Sequence, residues 1–414
     1  MSSLSADWVL PVDGPPLRDA HVTWEDRLIV EVAPGRGERH LEGAAILPGF
    51  VNAHSHLEYA VYAGFGDGLD FPRWLALHIE RKGRLELEEM EAIARLGAAE
   101  CLTSGITTVG DLSYSGAGVT ACAELGLRAI VYLEVFGPGT GQMETRFAAN
   151  RDRVAASLSE RVALGISPHT PYTAPLELWA AAVELGLPIA THFAESAAEA
   201  EWTRSGRGPI DEIPATSIRE LAGAGLLSSR ISAAHCVHLD AEELELLVAH
   251  DVGVVHCPRS NALLGCGIAP LAALLDAGLR VGIGTDSPAS TPSFDLFDEL
   301  RVAIYLARAR EQRPDALTAA EALALATIGG ARALGLDTVV GTLTTGKRAD
   351  LTAVSLAETP YHPVEDPVAA VVFGGSPGRV LETIVDGETR YRQGEHAWHE
   401  VRSTASAARG RMLS

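Results

Sequence analysis

The sequence predicts an α/β fold: a TIM (β/α)8 barrel flanked by a small β-sandwich domain built from both chain ends. Three observations predict it. Eight short apolar runs alternate with longer segments of helical periodicity through the middle of the chain, the pattern of βα units and a parallel sheet. Both ends instead carry short alternating segments broken by Pro and Gly. Polar residues inside the apolar runs gather at the C-terminal ends of those runs, where barrel enzymes keep their active sites.

Residues 1–49 contain HVTWEDRLIVEVAPG and similar stretches, which read as small antiparallel strands and the first part of the sandwich. Residues 50–340 are assigned to the barrel. Its candidate strands are AILPGFVNAHSH, GITTVGDL, RAIVYLEVF, VALGISPHT, PIATHFAE, ISAAHCVH, VGVVHCPRS and RVGIGTDS. Between them, LEEMEAIARLGAAECLTSG, LELWAAAVELGL, AEELELLVAHD and LAALLDAGL repeat apolar residues at helical spacing, and most close near a Gly. An open, doubly wound sheet is the alternative. Residues 341–400 return to strand-like pattern in GTLTTGKRADLTAVSL, AVVFGGS and VLETIVDGETRYRQGE, where the DG pair signals a hairpin. Residues 401–414 read as a frayed tail.

Composition narrows the partners. The chain has 414 residues and a net charge of −21, which repels phosphate backbones and anionic lipid. Nucleic acid and membrane are therefore not expected; a small-molecule substrate is, and a homo-oligomer is compatible. Five cysteines (Cys101, Cys122, Cys236, Cys257 and Cys266) form no C-x-x-C pair and suit a reducing compartment. With no signal-peptide pattern at the start, the expected location is the cytoplasm.

Six predicted strands end in ionisable groups: His54 and His56, Asp111, His169, His192, His235 and Asp286. His54 and His56 lie two apart on a strand and so share one face. The first and eighth strands of a closed barrel are neighbours, which brings Asp286 to them. Two imidazoles and a carboxylate suit one divalent metal, zinc first and iron(II) as the alternative. His192 is the next candidate ligand, and Glu195, three residues on, the acid/base group. His235 either ligates the metal or hydrogen-bonds its water. His169, Glu58, Trp74 and Arg259 are candidate substrate contacts, Arg259 as the cation for an anionic group. Arg81 and Lys82 are further candidates for that group, with a solvated helix position as the alternative; His238 reads as structural or exposed, and Asn261 as a partner for turn backbone. No nucleophile elbow, P-loop or strand-placed dinucleotide fingerprint is present.

PGFVNAHSHLE, HFAES, AAHCVHL, HCPRSNALL, GIGTDSPAS and GTLTTGKRADL together resemble the amidohydrolase superfamily, in its branch of aromatic deaminases and chlorohydrolases. The resemblance implies one metal held by His54, His56, His192 and Asp286, with His235 steering the attacking water and Glu195 shuttling protons. Ser167-Pro168-His169 stands where binuclear members carry a carboxylated lysine, so the implied site is mononuclear. Residues 57–84 further resemble the aminodeoxyfutalosine deaminases of menaquinone synthesis. The implied reaction is hydrolytic deamination of an amino-substituted heterocycle, such as an adenine nucleoside-like compound. Asp286 would take the second proton. The same arrangement also serves a chlorohydrolase, an amine-releasing triazine hydrolase or a cyclic amidase. A metal-stabilised binding protein would need the ligands but not Glu195 and His235 together.

Overall fold

The computed structural model describes residues 1–209, 212–396 and 398–414. The N-terminal segment forms β1 (Ser2–Val9), β2 (Leu17–Glu25), β3 (Leu28–Pro34) and β4 (Arg39–Pro48). Eight parallel strands follow, paired in chain order: β5 (Phe50–Ser55), β6 (Ile106–Ser113), β7 (Arg128–Val135), β8 (Val162–Pro168), β9 (Ile189–Phe193), β10 (Ile231–His235), β11 (Gly253–His256) and β12 (Val281–Ile283). The C-terminal segment adds β13 (Leu351–Ser355), β14 (Val380–Val385) and β15 (Glu388–Arg392). These join β1–β4 in one seven-stranded sheet of order β15-β14-β13-β4-β1-β2-β3. All eight predicted barrel strands are present. The first predicted run is split, however: Ala45–Pro48 belongs to β4 in the small sheet, and the barrel strand begins at Phe50.

Closure of the barrel is the feature that sets up the site. Asp286, just past β12, forms a parallel bridge with Ser55 at the end of β5. Its N–H donates to the His54 carbonyl at 3.0 Å. Such approach depends on Gly284, where a Cβ would sit 2.7 Å from the His54 backbone nitrogen. The Gly-Ile-Gly run is therefore a seam residue pattern: a side chain here would hold the first and eighth strands apart.

Two expectations need correction. AVVFGGS lies in a helix, Pro367–Gly374, rather than a strand. Asp366 caps it by accepting the N–H groups of Val368 and Ala369, and Pro367 fits the first turn. Four to eight apolar residues in a row do not by themselves distinguish a strand from a buried helix. The predicted frayed tail is also a helix, His399–Leu413, whose Ala405, Ala408 and Met412 are buried. It packs on α2 (Leu87–Thr103). Small residues at helical spacing allow that contact, which composition alone disguised. No helix among the described residues is long and apolar enough to cross a membrane.

Arg128, at the start of β7, ties the barrel to the small sheet. Its guanidinium reaches Asp350 at 2.7 Å and Asp386 at 2.5 Å, with all three side chains buried. Removing the cation would leave Asp350 desolvated without a counter-charge and Asp386 with only the more distant Arg161 and Arg348, each at 3.8 Å. Arg128→Ala is expected to lower the unfolding free energy by about 3–5 kcal/mol, read from denaturant titration.

Candidate metal centre

Four imidazoles and one carboxylate converge where β5, β9, β10 and β12 end. The ring centroids of His54 lie 5.1 Å from His56, 4.9 Å from His192 and 5.6 Å from His235. Asp286 Oδ1 lies 3.5 Å from His54 Nε2 and 3.4 Å from His56 Nε2. Donor atoms of His54, His56 and Asp286 fall within 4.8 Å of one another, as do those of His54, His192 and His235. The 230-odd residues between the first and last of these groups are brought to one point.

The neighbours fix each donor. His192 Nδ1–H donates to the backbone carbonyl of His169 at 2.7 Å, which leaves Nε2 with its lone pair facing the centre. His235 Nδ1–H donates to Asn261 Oδ1 at 2.9 Å, with the same effect. Asp286 Oδ2 accepts the hydroxyls of Ser260 at 2.6 Å and Ser290 at 2.8 Å, so Oδ1 alone is left for a cation. Asp111 accepts the N–H of Leu57 at 2.7 Å and thereby holds the turn that carries His56. His54 Nε2 is buried without a hydrogen-bond partner. An orphaned imidazole nitrogen beside a free carboxylate oxygen is a donor set that fits a divalent metal.

Electrostatics agree. Burial lowers His54 to about 4 and His56 to about 3. His192 and His235 are lowered too, burial again being the first cause. All four imidazoles are therefore neutral near pH 7, the form that ligates. For Asp286 burial works upward, but the surrounding imidazoles outweigh it and hold the carboxyl well below its usual range. Glu195 moves the other way: burial, then the charge of Asp286, pushes it well above the usual carboxylate range. Its Oε2 lies 3.9 Å from His235 Nε2. Two carboxyl groups pushed in opposite directions thus stand within 4.8 Å of one another.

A cavity of about 730 Å³ opens from this centre. It is lined by His56, His169, His192, Glu195, His235 and Asp286 on the barrel side, and by α1 (Phe71–Lys82) on the other. His169 and Trp74, both expected at the mouth, line it. Trp74 also donates its indole N–H to the Ala289 carbonyl at 3.1 Å, pinning α1 to the rim.

Three expectations fail for stated reasons. Glu58 is buried away from the cavity: its carboxylate accepts the hydroxyls of Ser113 and Ser115 and the N–H of Ala117, which order the loop after β6. Arg259 is also buried and paired, its Nε lying 2.6 Å from Glu299 and its Nη2 2.6 Å from the Ser293 carbonyl. A buried Glu299 needs that counter-charge, and none remains for a ligand. Asn261 serves His235 rather than turn backbone. His238 is structural, as expected, bonding the Cys266 carbonyl at 2.6 Å. Lys82, a further candidate for the anionic group, lines the cavity with its Nζ 4.2 Å from the Tyr114 ring centre. Arg146, which sequence reasoning passed over, packs on the same ring at 4.3 Å and on Phe136 at 4.4 Å.

The sequence profile of the Amidohydrolase family matches residues 45–390. The chain belongs to the amidohydrolase family. It is accordingly a hydrolase acting on carbon–nitrogen bonds. A 5-methylthioadenosine/S-adenosylhomocysteine deaminase of Pelotomaculum thermopropionicum is 35% identical over 407 residues, covering 92% of this chain and 90% of that protein. A 5'-deoxyadenosine deaminase of Methanothermobacter thermautotrophicus is 32% identical, covering 93% and 92%. The solved structure of an adenosine deaminase from Xanthomonas campestris with bound zinc superposes with a TM-score of 0.89 at 27% identity, covering 99% and 98%.

Neutral ligands at low pH have a stability signature. An unfolded histidine takes up its proton near pH 6.5, whereas folded His54 and His56 stay neutral down to about 4 and 3. Below pH 6.5 the unfolded state binds more protons, so metal-free protein loses stability as pH falls from 6.5 toward 4. In the double variant His54→Asn, His56→Asn, the fall in Tm over that interval should be shallower than in the wild type, read by thermal melts in chelator. An unchanged slope would contradict the assigned neutrality.

Proposed function

We propose that the protein is a zinc-dependent aminohydrolase that releases ammonia from the adenine-type ring of a nucleoside carrying an anionic group, of the kind represented by aminodeoxyfutalosine. The observation that carries this reading is the gathering of Glu195, His235 and Asp286, with donor atoms within 4.8 Å of one another, at the floor of one cavity. The adenosine-type substrates named for the two deaminase relatives support the ring assignment, and the zinc of the Xanthomonas structure supports the metal. The cytoplasmic, small-molecule role inferred from composition accords with it.

His54, His56, His192 and Asp286 are the residues that would hold the cation, with His235 beside them. When bound, such an ion supplies acidity, lowering the pKa of a water from about 15.7 toward about 7. The protein's own groups do the rest. His235 presents an Nε2 lone pair, fixed by Asn261, to orient the attacking water. Glu195 delivers a proton to the ring nitrogen next to the carbon under attack, so that negative charge does not build there. A second proton must reach the exocyclic nitrogen, because amide ion is not a leaving group and ammonia is. Glu195 and Asp286 flank the position from which that proton is relayed. Departure of chloride would still use Glu195 at the ring nitrogen but would not need the second proton; the two deaminase relatives favour ammonia as the leaving group.

Lys82, which lines the cavity, supports the anionic group, with Arg146 stacked on the same aromatic ring and bonded to the Glu134 carbonyl and Gln142. Both lie against Tyr114 beyond the metal centre, and neither has a carboxylate partner among the described residues. Lys82 takes the role first given to Arg259.

The zinc-loaded protein should release ammonia from adenosine, 5'-deoxyadenosine or a carboxylated futalosine-type nucleoside in a coupled assay. Failure with every aminated purine would sink the proposal. Glu195→Gln should cut kcat by roughly 10²–10⁴-fold while leaving zinc content unchanged. Lys82→Met should raise KM for the carboxylated nucleoside more than for adenosine; equal KM changes would remove the anion from the reading.

A further inference from the structure

One polar side chain in the cavity wall is left without a task. His78 lies on the inward face of α1 and lines the cavity, yet it is only 8% exposed. Its imidazole sits in an aromatic socket. It stacks on Trp74 at 5.5 Å and 21°, and meets Tyr59 edge-on at 4.5 Å. Tyr62 and Phe65 close the other sides at 5.4 Å and 6.0 Å. Nδ1 is buried without a hydrogen-bond partner. Phenylalanine or leucine would fill such a socket without desolvating a ring nitrogen. A nitrogen-bearing ring kept there instead points to a polar partner arriving from the cavity.

The chemistry of that partner follows from the ring's state and place. Burial, then the charge of Lys82, holds His78 well below its ordinary range, so the ring is neutral, with one N–H donor and one acceptor nitrogen. A neutral ring is a poor receptor for an anion, and Lys82 stands one helical turn further along the same face for that purpose. Toward the metal, a single ring, Tyr59, separates His78 from His56, on which Tyr59 stacks at 5.5 Å. His78 thus stands between the heterocycle end of the cavity and its cationic end. A group that both donates and accepts in the middle of the ligand is a hydroxyl.

We propose that His78 is a specificity-determining residue that hydrogen-bonds a sugar hydroxyl of the substrate. The assignment rests on the nucleoside reading above. Its test compares kcat/KM for adenosine and 2',3'-dideoxyadenosine in zinc-loaded wild type, His78→Phe and His78→Gln. Phenylalanine keeps the aromatic ladder and removes the hydrogen bond, whereas glutamine keeps a donor and an acceptor. The wild type should prefer adenosine by about tenfold or more. In His78→Phe the preference should fall below about threefold, with most of the change in KM, while His78→Gln retains more of it than His78→Phe. If His78→Phe does not fold, His78→Met provides the same contrast with His78→Gln. A preference that survives His78→Phe or His78→Met, or a wild type that does not discriminate, overturns the assignment while leaving the deaminase reading intact. If the wild type turns over only the carboxylated nucleoside, that compound and its dideoxy analogue replace the pair in the same comparison; no turnover of any of these would instead remove the nucleoside reading, and this assignment with it.

Discussion

The seam between β12 and β5 is the constraint on which everything else depends. Where Asp286 N–H meets the His54 carbonyl, the last strand of the barrel is placed beside the first, and a carboxylate is delivered to two imidazoles. No local sequence element brings these groups together; they are about 230 positions apart. Only closure does so, and closure needs a Cβ-free residue at Gly284. The candidate metal-binding arrangement is therefore a consequence of the fold's topology before it is a property of any motif.

The rim of the barrel also carries backbone that a stability-minded sequence would avoid. Ala194, His235, Cys236 and Asp286 all have φ between +48° and +70°. Each such residue costs about 1–3 kcal/mol unless its surroundings over-determine it. Here they do. Both carboxylate oxygens of Glu199 accept N–H groups, from Ala194 at 3.2 Å and Glu195 at 2.9 Å. Asn261 holds His235, and two serine hydroxyls hold Asp286. The strain turns side chains off the strand direction and into the mouth, and a ring of buried hydrogen bonds keeps them there.

Much of this was legible in the sequence. The eight strands announce themselves because parallel barrel strands are apolar on both faces, and ionisable groups at their ends break the pattern visibly. His54, His56, His192, His235, Glu195 and Asp286 were found that way. Glu58 and Arg259 were misplaced for a common reason: a charged residue near the mouth reads the same whether it faces the cavity or a buried counter-charge behind it. Glu58 serves the loop after β6, and Arg259 neutralises Glu299, a partner 40 residues on. Lys82 was left open between the cavity and solvent, since helix periodicity does not say which face of α1 is covered. The tail helix was hidden because its buried positions are mostly alanine, which carries little hydropathy signal.

The small sheet has a consequence for how the chain is made. Its central pair joins β4, finished by residue 48, to β13, which begins at Leu351. During synthesis Ala44–Leu47 can pair with β1 on one side, but its other edge must wait while some 300 further residues emerge from the ribosome. Such an edge is a template for pairing with a neighbouring nascent chain. The late arrival of β13 makes the opening fifty residues the segment in greatest need of a chaperone, although they contribute none of the chemistry.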